Sequence, residues 1–338
     1  MPDPGKGTIV RRATFRDWFL LFRPWSYTAT LVPFAVIAGA LHGLGGFVWW
    51  RWWLALAAAL PLQAACNLLN TWGDERSGVD DVPGAIRTTP QVHEGRVSMR
   101  AVLAAAIGCV AVSGLLAVPL FALLPANGGV ALNWPLLVVA LVGLFGACNY
   151  ATGVKFKYRG LGVPFVFFLM GTIEMAGVAC AAIPWLVHGS TPLEIAATPY
   201  AWVLAFGVSL PVNCLVAVIM HGNDMRDIPT DRAAGIKTVA SSLGPRGALS
   251  LYFVLHLVPY ACVACWCALF SNRAAYDGRQ FWWLLPFAAL PLTVRTLRTA
   301  RRVYASCPEN PPWRGLERAS GGIHFVFGLL YALALVLM

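Results

Sequence analysis

Along the 338-residue chain, long apolar runs alternate with short polar gaps. Runs long enough to cross a bilayer as helices, about 20 residues each, are read at roughly 18–42, 48–70, 99–124, 134–152, 163–187, 200–221, 248–270, 280–298 and 320–338. The pattern predicts an all-α polytopic membrane protein, a bundle of about nine transmembrane helices. Residues 1–17 are read as a cytoplasmic N-terminal segment and residues 18–338 as a single transmembrane domain. The first run follows a basic N-terminus but is long and has no convincing small-residue cleavage site, so it is read as a retained span rather than a signal peptide.

The polar gaps carry the orientation. Lys6, Arg11, Arg12 and Arg16 precede the first span, and Arg76, Arg87, Arg96 and Arg100 follow the second. Lys155, Lys157 and Arg159 follow the fourth, Arg226, Arg232, Lys237 and Arg246 the sixth, and six arginines from Arg295 to Arg318 the eighth. The other side has only Arg51, Arg273 and Arg279. Because cytoplasmic flanks collect lysine and arginine, the N-terminus is expected in the cytoplasm and the C-terminus outside, in a bacterial-type inner or plasma membrane. Tryptophan agrees, since Trp49, Trp50, Trp52, Trp53, Trp134, Trp185, Trp202, Trp266, Trp282 and Trp283 fall near expected external ends, where amphipathic rings favour the headgroup level.

Composition sharpens this picture. With 58% hydrophobic and 12% charged residues, a soluble domain is excluded as the starting assumption. The net charge of +10 reads as topology and attraction to anionic lipid, and no basic strip interleaved with exposed aromatics points to nucleic acid. The nine cysteines lie almost all within apolar runs, so no disulfide framework is expected. The C-x-x-C of Cys262 and Cys265 lacks a second pair or a histidine cluster and does not read as a metal or redox motif.

Acidity is concentrated. Asp74, Glu75, Asp80, Asp81 and Glu94 lie in one gap, and Asp224, Asp227 and Asp231 in another, both on the expected cytoplasmic side. Asn70-x-x-x-Asp74-x-x-x-Gly78-x-Asp80 is echoed by Asn223-x-x-x-Asp227-x-x-x-Asp231, so a four-helix unit is read twice with one helix left over. Spacing by four stacks these groups along one face of a helix that continues out of the membrane, with Gly78 breaking the first stack so that Asp80 reaches back from a turn. Like charges this close repel unless a cation sits between them. Carboxylate and amide oxygens without histidine or cysteine suit Mg²⁺, which keeps water or phosphate in its remaining positions. The two motifs therefore read as half-sites that together clamp a diphosphate. Lys155, Lys157, Arg159, Arg226 and Lys237 are placed to neutralise phosphate oxygens. No Gly-rich nucleotide loop is present, so a diphosphate carried on something apolar is expected.

At this point the sequence resembles the UbiA superfamily of intramembrane prenyltransferases, which carry two aspartate-rich motifs after the second and sixth of nine membrane helices. It is most similar to the 1,4-dihydroxy-2-naphthoate prenyltransferase branch, through RPWSYTATLVPF at Arg23 to Phe34, NLLNTWGDERSGVD at Asn67 to Asp80, KYRGLG at Lys157 to Gly162 and NDMRDIPTDRAAGIKTVASSLG at Asn223 to Gly244. The resemblance implies Mg²⁺-dependent transfer of a polyprenyl group from a polyprenyl diphosphate to an aromatic acceptor, in quinone (menaquinone) synthesis. It implies Asn70, Asp74, Asp80, Asn223, Asp227 and Asp231 as metal ligands, four of them catalytic aspartates, with Tyr150 and Lys157 near the reacting centre and Asn67 on the substrate. One departure stands out: the branch commonly has Asn-Asp where this chain has Asn70-Thr71.

Glu174, inside the fifth span, is divided between an acceptor-binding and a structural role, and His221 is read as a helix-end residue. His256 and His324 read as core residues, and the FVFF run at Phe165 to Phe168 as packing. The nearest rival readings are another aromatic acceptor or an intramembrane terpene cyclase. A secondary transporter also shows repeats, but its ionisable groups belong at the midplane, whereas these acids lie at helix ends.

Overall fold

A computed structural model of the chain describes residues 13–43, 47–77, 89–123, 130–183, 207–271 and 278–338. It is built of helices. The main ones are α1 (Phe15–Phe22), α2 (Thr28–Leu41), α3 (Trp49–Ser77), α4 (Pro90–His93), α5 (Met99–Phe121) and α6 (Trp134–Asn149). After them come α7 (Gly162–Phe167), α8 (Glu174–Ala182), α9 (Ser209–Ala233), α10 (Val239–Ser271), α11 (Leu290–Ser306) and α12 (Leu316–Leu337). Among the described residues the sheet content is one two-residue ladder, Ala122–Leu123 with Ala131–Leu132. Six of the helical stretches are long and apolar enough to cross a membrane.

The expected count of nine spans therefore does not carry over as nine simple helices, and each departure has a local cause. The first run is two helices. Thr14 caps α1 in a reciprocal box with Asp17, and Arg23, in the left-handed region at φ 50°, ends it. Pro24 follows, and a residue before proline is driven out of the right-handed helical region, so the chain turns through Pro24–Tyr27 before α2 begins. The expected break after residue 17 falls inside α1. The fifth run is interrupted by a π-helical turn, Phe168–Ile173, between α7 and α8. The eighth begins as a 3₁₀ helix, Arg279–Ala289, and becomes α-helical only at Leu290. Gly244, at φ 69° and ψ 173° just before Pro245, kinks α10 near its start.

Two helices outrun their apolar segments, as the motif spacing requires. α3 continues to Ser77, past Asn70 and Asp74, and α9 continues to Ala233, past Asn223, Asp227 and Asp231. α3 packs mainly along α5 and α9 mainly along α10, so the two motif helices occupy matching places in the bundle. Residues 1–12, Asp80, Asp81, Arg87, Trp185, Trp202 and Arg273 lie outside the described residues.

The main core runs through α2, α8, α9, α10 and α12, with Phe34, Leu215, Tyr252, Phe327 and Tyr331 fully enclosed or nearly so. α5, by contrast, is mostly open to lipid: only 11% of its apolar window is buried, and Ile107, Leu115 and Val118 are more than half exposed. Of the tryptophans expected in a belt, Trp49, Trp50 and Trp53 are at least half exposed at the end of the bundle away from the motifs, whereas Trp52 and Trp283 are buried in the core.

Arg51 sits among these rings but is itself buried. Its Nε donates to the Ala181 carbonyl at 2.7 Å, Nη1 to that of Ala122 at 3.1 Å, and Nη2 to that of Leu120. The guanidinium thus satisfies carbonyls at the ends of α5 and α8, which lack intrahelical donors. Replacing Arg51 with Met strands these acceptors in a low-dielectric region, and we expect a loss of roughly 3 kcal/mol. The check is a lowered thermal midpoint with unchanged KM for both substrates; an unchanged midpoint would contradict the role.

Candidate active site

The polar ends of α3 and α9 meet the segment between α6 and α7. Tyr150 caps α6, and the chain then turns back through Lys155, in the left-handed region at φ 60°, into the 3₁₀ turn Phe156–Tyr158. That turn is tied down by the Lys157 amide donating to the Tyr150 carbonyl at 2.9 Å. It aims the Lys157 side chain at α3, where Nζ donates to Asp74 Oδ1 and Oδ2 at 2.7 and 2.9 Å and to Asn70 Oδ1 at 3.3 Å. Tyr158 donates its phenolic proton to Asp74 as well. The first motif and the KYRGLG segment, far apart in sequence, thus converge on one carboxylate.

The close approach has a steric condition at Gly73. A Cβ there would stand 2.5 Å from the Ala151 carbonyl oxygen, in backbone that cannot give way cheaply. Gly73→Ala should push α3 away from the Tyr150 segment and lower turnover by about tenfold or more. A kinetic assay checks this, and wild-type kcat in a folded variant would mean that the contact is slack.

On α9 the acids are arranged differently from the simple spacing-by-four reading. At about 100° per residue, Met220, Asp224, Asp227 and Asp231 share an arc of about 60°, and Asn223 lies about 40° further round. Asp227 is held in a two-point fork by Arg226, Nε to Oδ1 at 2.7 Å and Nη2 to Oδ2 at 2.6 Å, and Arg226 also reaches Glu317 at 3.6 Å. Asp231 accepts from Thr238 Oγ1 at 3.3 Å. Asp224 is buried, and Lys157 lies within electrostatic reach of both Asp224 and Asp231. Burial, and next the charge of Asp231, push the Asp224 carboxyl well above its ordinary range against the pull of Lys157. Burial, and next Asp227, push Asp231 up to about 7, opposed by Lys157, Thr238 and Arg226. The second half-site therefore disfavours the ionised form of both carboxyls unless a further cation joins them.

The two halves meet at Tyr150, which lies in the fields of both Asp74 and Asp224. Its hydroxyl donates to Met220 Sδ at 3.2 Å, so the phenol spans from α6 to α9. Below it is an aromatic wall, Phe165 packing on Tyr150 at 5.7 Å between centroids and stacking on Phe156 at 4.9 Å. A backbone bridge between Arg159 and Lys237 joins the rims of the two halves.

Of the residues expected at the site, Asn70, Asp74, Tyr150 and Lys157 are brought into one network, and Asp227 and Asp231 face it from α9. Lys155, Arg159 and Lys237 stand exposed on the rim, and Asn223 is half-buried beside the acidic arc. Asn67 uses its amide on the α1–α2 break, donating to the Phe22 carbonyl at 2.9 Å and Ser26 Oγ at 2.8 Å. His221 is buried and bonds the Ala248 carbonyl through Nε2 at 2.8 Å, tying α9 to α10. Two residues not assigned from sequence join the site. Asp224 was visible only as part of an acidic loop, although its seven-residue spacing to Asp231 is the signal that both share a face. Arg23 donates to Thr71 Oγ1 at 3.3 Å, and Thr71 is fully buried between Asn70 and Asp74. The left-handed break before Pro24 is what turns Arg23 there.

The donor set is oxygen-only, and among the described residues no three acidic, histidine or cysteine side chains close on one point. Such a set does not cage an ion by itself. It fits Mg²⁺ that shares its shell with phosphate and water, and a cation there would favour the ionised Asp224 and Asp231 that burial and mutual repulsion disfavour.

Membrane helices that gather carboxylates, amides and cations at one end, above an aromatic wall, define an intramembrane prenyltransferase. The chain belongs to the UbiA prenyltransferase family, which matches residues 31–311. Among curated proteins it is similar to UbiA prenyltransferase domain-containing protein 1 of Gallus gallus, 27% identical over 93% of this chain and 85% of the relative. The Danio rerio protein of the same name is 28% identical over 97% of this chain and 88% of its own length. Among solved structures the fold is similar to that of a UbiA homologue from Archaeoglobus fulgidus bound to GPP and Mg²⁺, with a TM-score of 0.60, 16% identity, and coverage of 95% of this chain and 99% of that one. A UbiA homologue from Aeropyrum pernix K1 gives a TM-score of 0.59 at 20% identity, covering 90% and 96%.

Proposed function

We propose that the chain transfers a polyprenyl group from a polyprenyl diphosphate to 1,4-dihydroxy-2-naphthoate, a step of quinone synthesis. The observation that carries this reading is the convergence of Lys157, Asn70 and Asp74 from one half with Asp224, Asp227 and Asp231 from the other, on either side of Tyr150. The A. fulgidus homologue of the same fold, solved with GPP and Mg²⁺, supports the diphosphate and Mg²⁺ part of it.

Asn70, Asp74, Asn223, Asp224, Asp227 and Asp231 would hold Mg²⁺, with Asp80 expected to complete the first set, and the ion would supply Lewis acidity toward a departing diphosphate. The chain's own groups do the rest. Lys157, paired with Asp74, turns its ammonium to the phosphate oxygens when the diphosphate binds, and Arg226 stabilises the same charge from α9. Tyr150 and Phe165 present π faces toward the allylic carbon as positive charge develops there. Tyr150 donates its hydroxyl hydrogen bond to Met220 Sδ and so keeps its oxygen lone pairs toward the site. The prenyl tail runs between helices into the apolar bundle, where water is scarce.

For the acceptor, Arg23 supplies a cation that suits a carboxylate. An acid at position 71 would lie against that guanidinium, whereas Thr71 offers it a neutral hydroxyl. The lysine and arginine asymmetry supports a cytoplasmic N-terminus and active site. The two curated relatives named above come from animals, so they lend no support to a bacterial-type membrane.

The test is a mass-spectrometric product assay on purified protein with Mg²⁺ and geranylgeranyl diphosphate, with and without 1,4-dihydroxy-2-naphthoate. A prenylated, decarboxylated naphthol is expected. Diphosphate release without an aromatic product would replace this reading by a cyclase or another acceptor.

A further inference from the structure

α11 lies outside the active site and carries a chemical pattern which that site does not use. Its seventeen residues, LPLTVRTLRTARRVYAS, include four arginines and no acid. Thr293, Thr296, Leu297 and Ala300 form its buried face. Arg295, Arg298 and Arg302, spaced by three and four, share a different face within an arc of about 60°, and all three are exposed. Arg301 points elsewhere on the helix. Among the described residues none of these arginines is paired with a carboxylate.

The three arginines line one end of a groove of about 770 Å³, whose other end is lined by Phe287, Leu290, Pro291 and Val294. The position of the arginines along the groove follows from the helix geometry. The 3₁₀ helix Arg279–Ala289 rises about 2.0 Å per residue, and Leu290 to Val294 about 1.5 Å. Together they cover roughly 30 Å, the thickness of the hydrocarbon core, so with Arg279 at the external headgroup level, where the sequence pattern sets it, Arg295 falls at the opposite one. A topology signal needs only positive charge somewhere in this gap. It does not need three arginines on one face, continuous with an apolar groove.

We propose that this groove binds an anionic phospholipid, its phosphate held by Arg295, Arg298 and Arg302 and an acyl chain lying along Phe287, Leu290 and Val294. Guanidinium forks fit phosphate oxygens, and the apolar half distinguishes a lipid from a soluble anion. The site lies apart from Asp74, Lys157 and the α9 acids, so it is independent of the reaction assigned to them.

The test is native mass spectrometry of detergent-purified protein titrated with phosphatidylglycerol or with phosphatidylcholine of the same acyl chains. Wild type is expected to retain phosphatidylglycerol at about tenfold lower lipid concentration. R295Q/R298Q/R302Q should lose that preference, and R301Q, on the same helix but outside the groove, should keep it. Equal retention of the two lipids by wild type would overturn the proposal, and this comparison needs no variant. Equal loss in R301Q would reduce the effect to general charge and also overturn it. Displacement of phosphatidylglycerol by millimolar inorganic phosphate would show an anion site rather than a lipid site. A dimer that the triple variant dissolves would show a second copy as the occupant.

Discussion

Asp74→Asn is expected to lower prenyl transfer by about a thousandfold while leaving the fold intact. Asp74 is where α3, the Lys157 turn and Tyr158 meet, with Lys157 Nζ at 2.7 Å and the Tyr158 hydroxyl on the same carboxylate. Asparagine fills the same volume and still accepts one hydrogen bond. The structural loss is therefore modest, on the order of 1 kcal/mol, because Lys157 is about a quarter exposed and keeps Asn70 as a partner. The chemical loss is larger, since removing a single preorganised charge-stabilising group typically costs two to three orders of magnitude in kcat. The decisive measurement is kcat in the product assay at saturating Mg²⁺, with a thermal melt as the folding control. Wild-type turnover in a folded Asp74→Asn protein would remove Asp74 from the site and with it the two-motif reading.

Asp231→Asn should do two opposite things, abolishing turnover and raising the stability of the ligand-free protein. The sign follows from Asp231 being pushed up to about 7, above the ordinary carboxylate range, chiefly by burial and then by Asp227. A carboxyl held above its unfolded value favours the folded state below that value, and the advantage is lost as pH rises to about 7. At pH 8 the ionised, buried Asp231 is a net liability. Asparagine removes the charge and keeps an acceptor for Thr238 Oγ1, now at 3.3 Å. A midpoint several degrees higher at pH 8, with the gain shrinking toward pH 5, is expected from a melt without Mg²⁺ or substrate. A lower midpoint at pH 8 would mean that Asp231 is already well neutralised and that no cation is called for beside it.

Much of this was legible in sequence, and the limits are physical. The apolar runs located most helices within a few residues, because a long run in lipid has no alternative that satisfies its backbone. The extension of α3 and α9 beyond the membrane followed from the spacing of Asn70 to Asp74 and Asn223 to Asp231. The breaks were less visible. Arg23-Pro24 splits the first run, and the π turn at Phe168–Ile173 leaves no composition signal. At the site, spacing by four overstated the alignment of Asn223 with Asp231, since four residues overshoot a helical turn by about 40°. Asp224, seven residues from Asp231, lay on the working face instead. The meeting of Lys157 with Asp74 and of Arg23 with Thr71 joins residues 83 and 48 apart, and no local pattern reports such contacts.

α5 carries a last consequence. Along its outer side the helix meets hydrocarbon tails, a solvent with no fixed shape, so Ile107, Val112, Leu115 and Val118 answer to greasiness but not to fit. That strip is free to wander among Leu, Ile, Val and Phe in evolution at almost no penalty, while Val102 and Ala106 on the opposite side, buried against α3, are held. For an experimenter the same strip is the natural handle: a spectroscopic label or crosslinker at Leu115 would report on the surrounding lipid without disturbing catalysis.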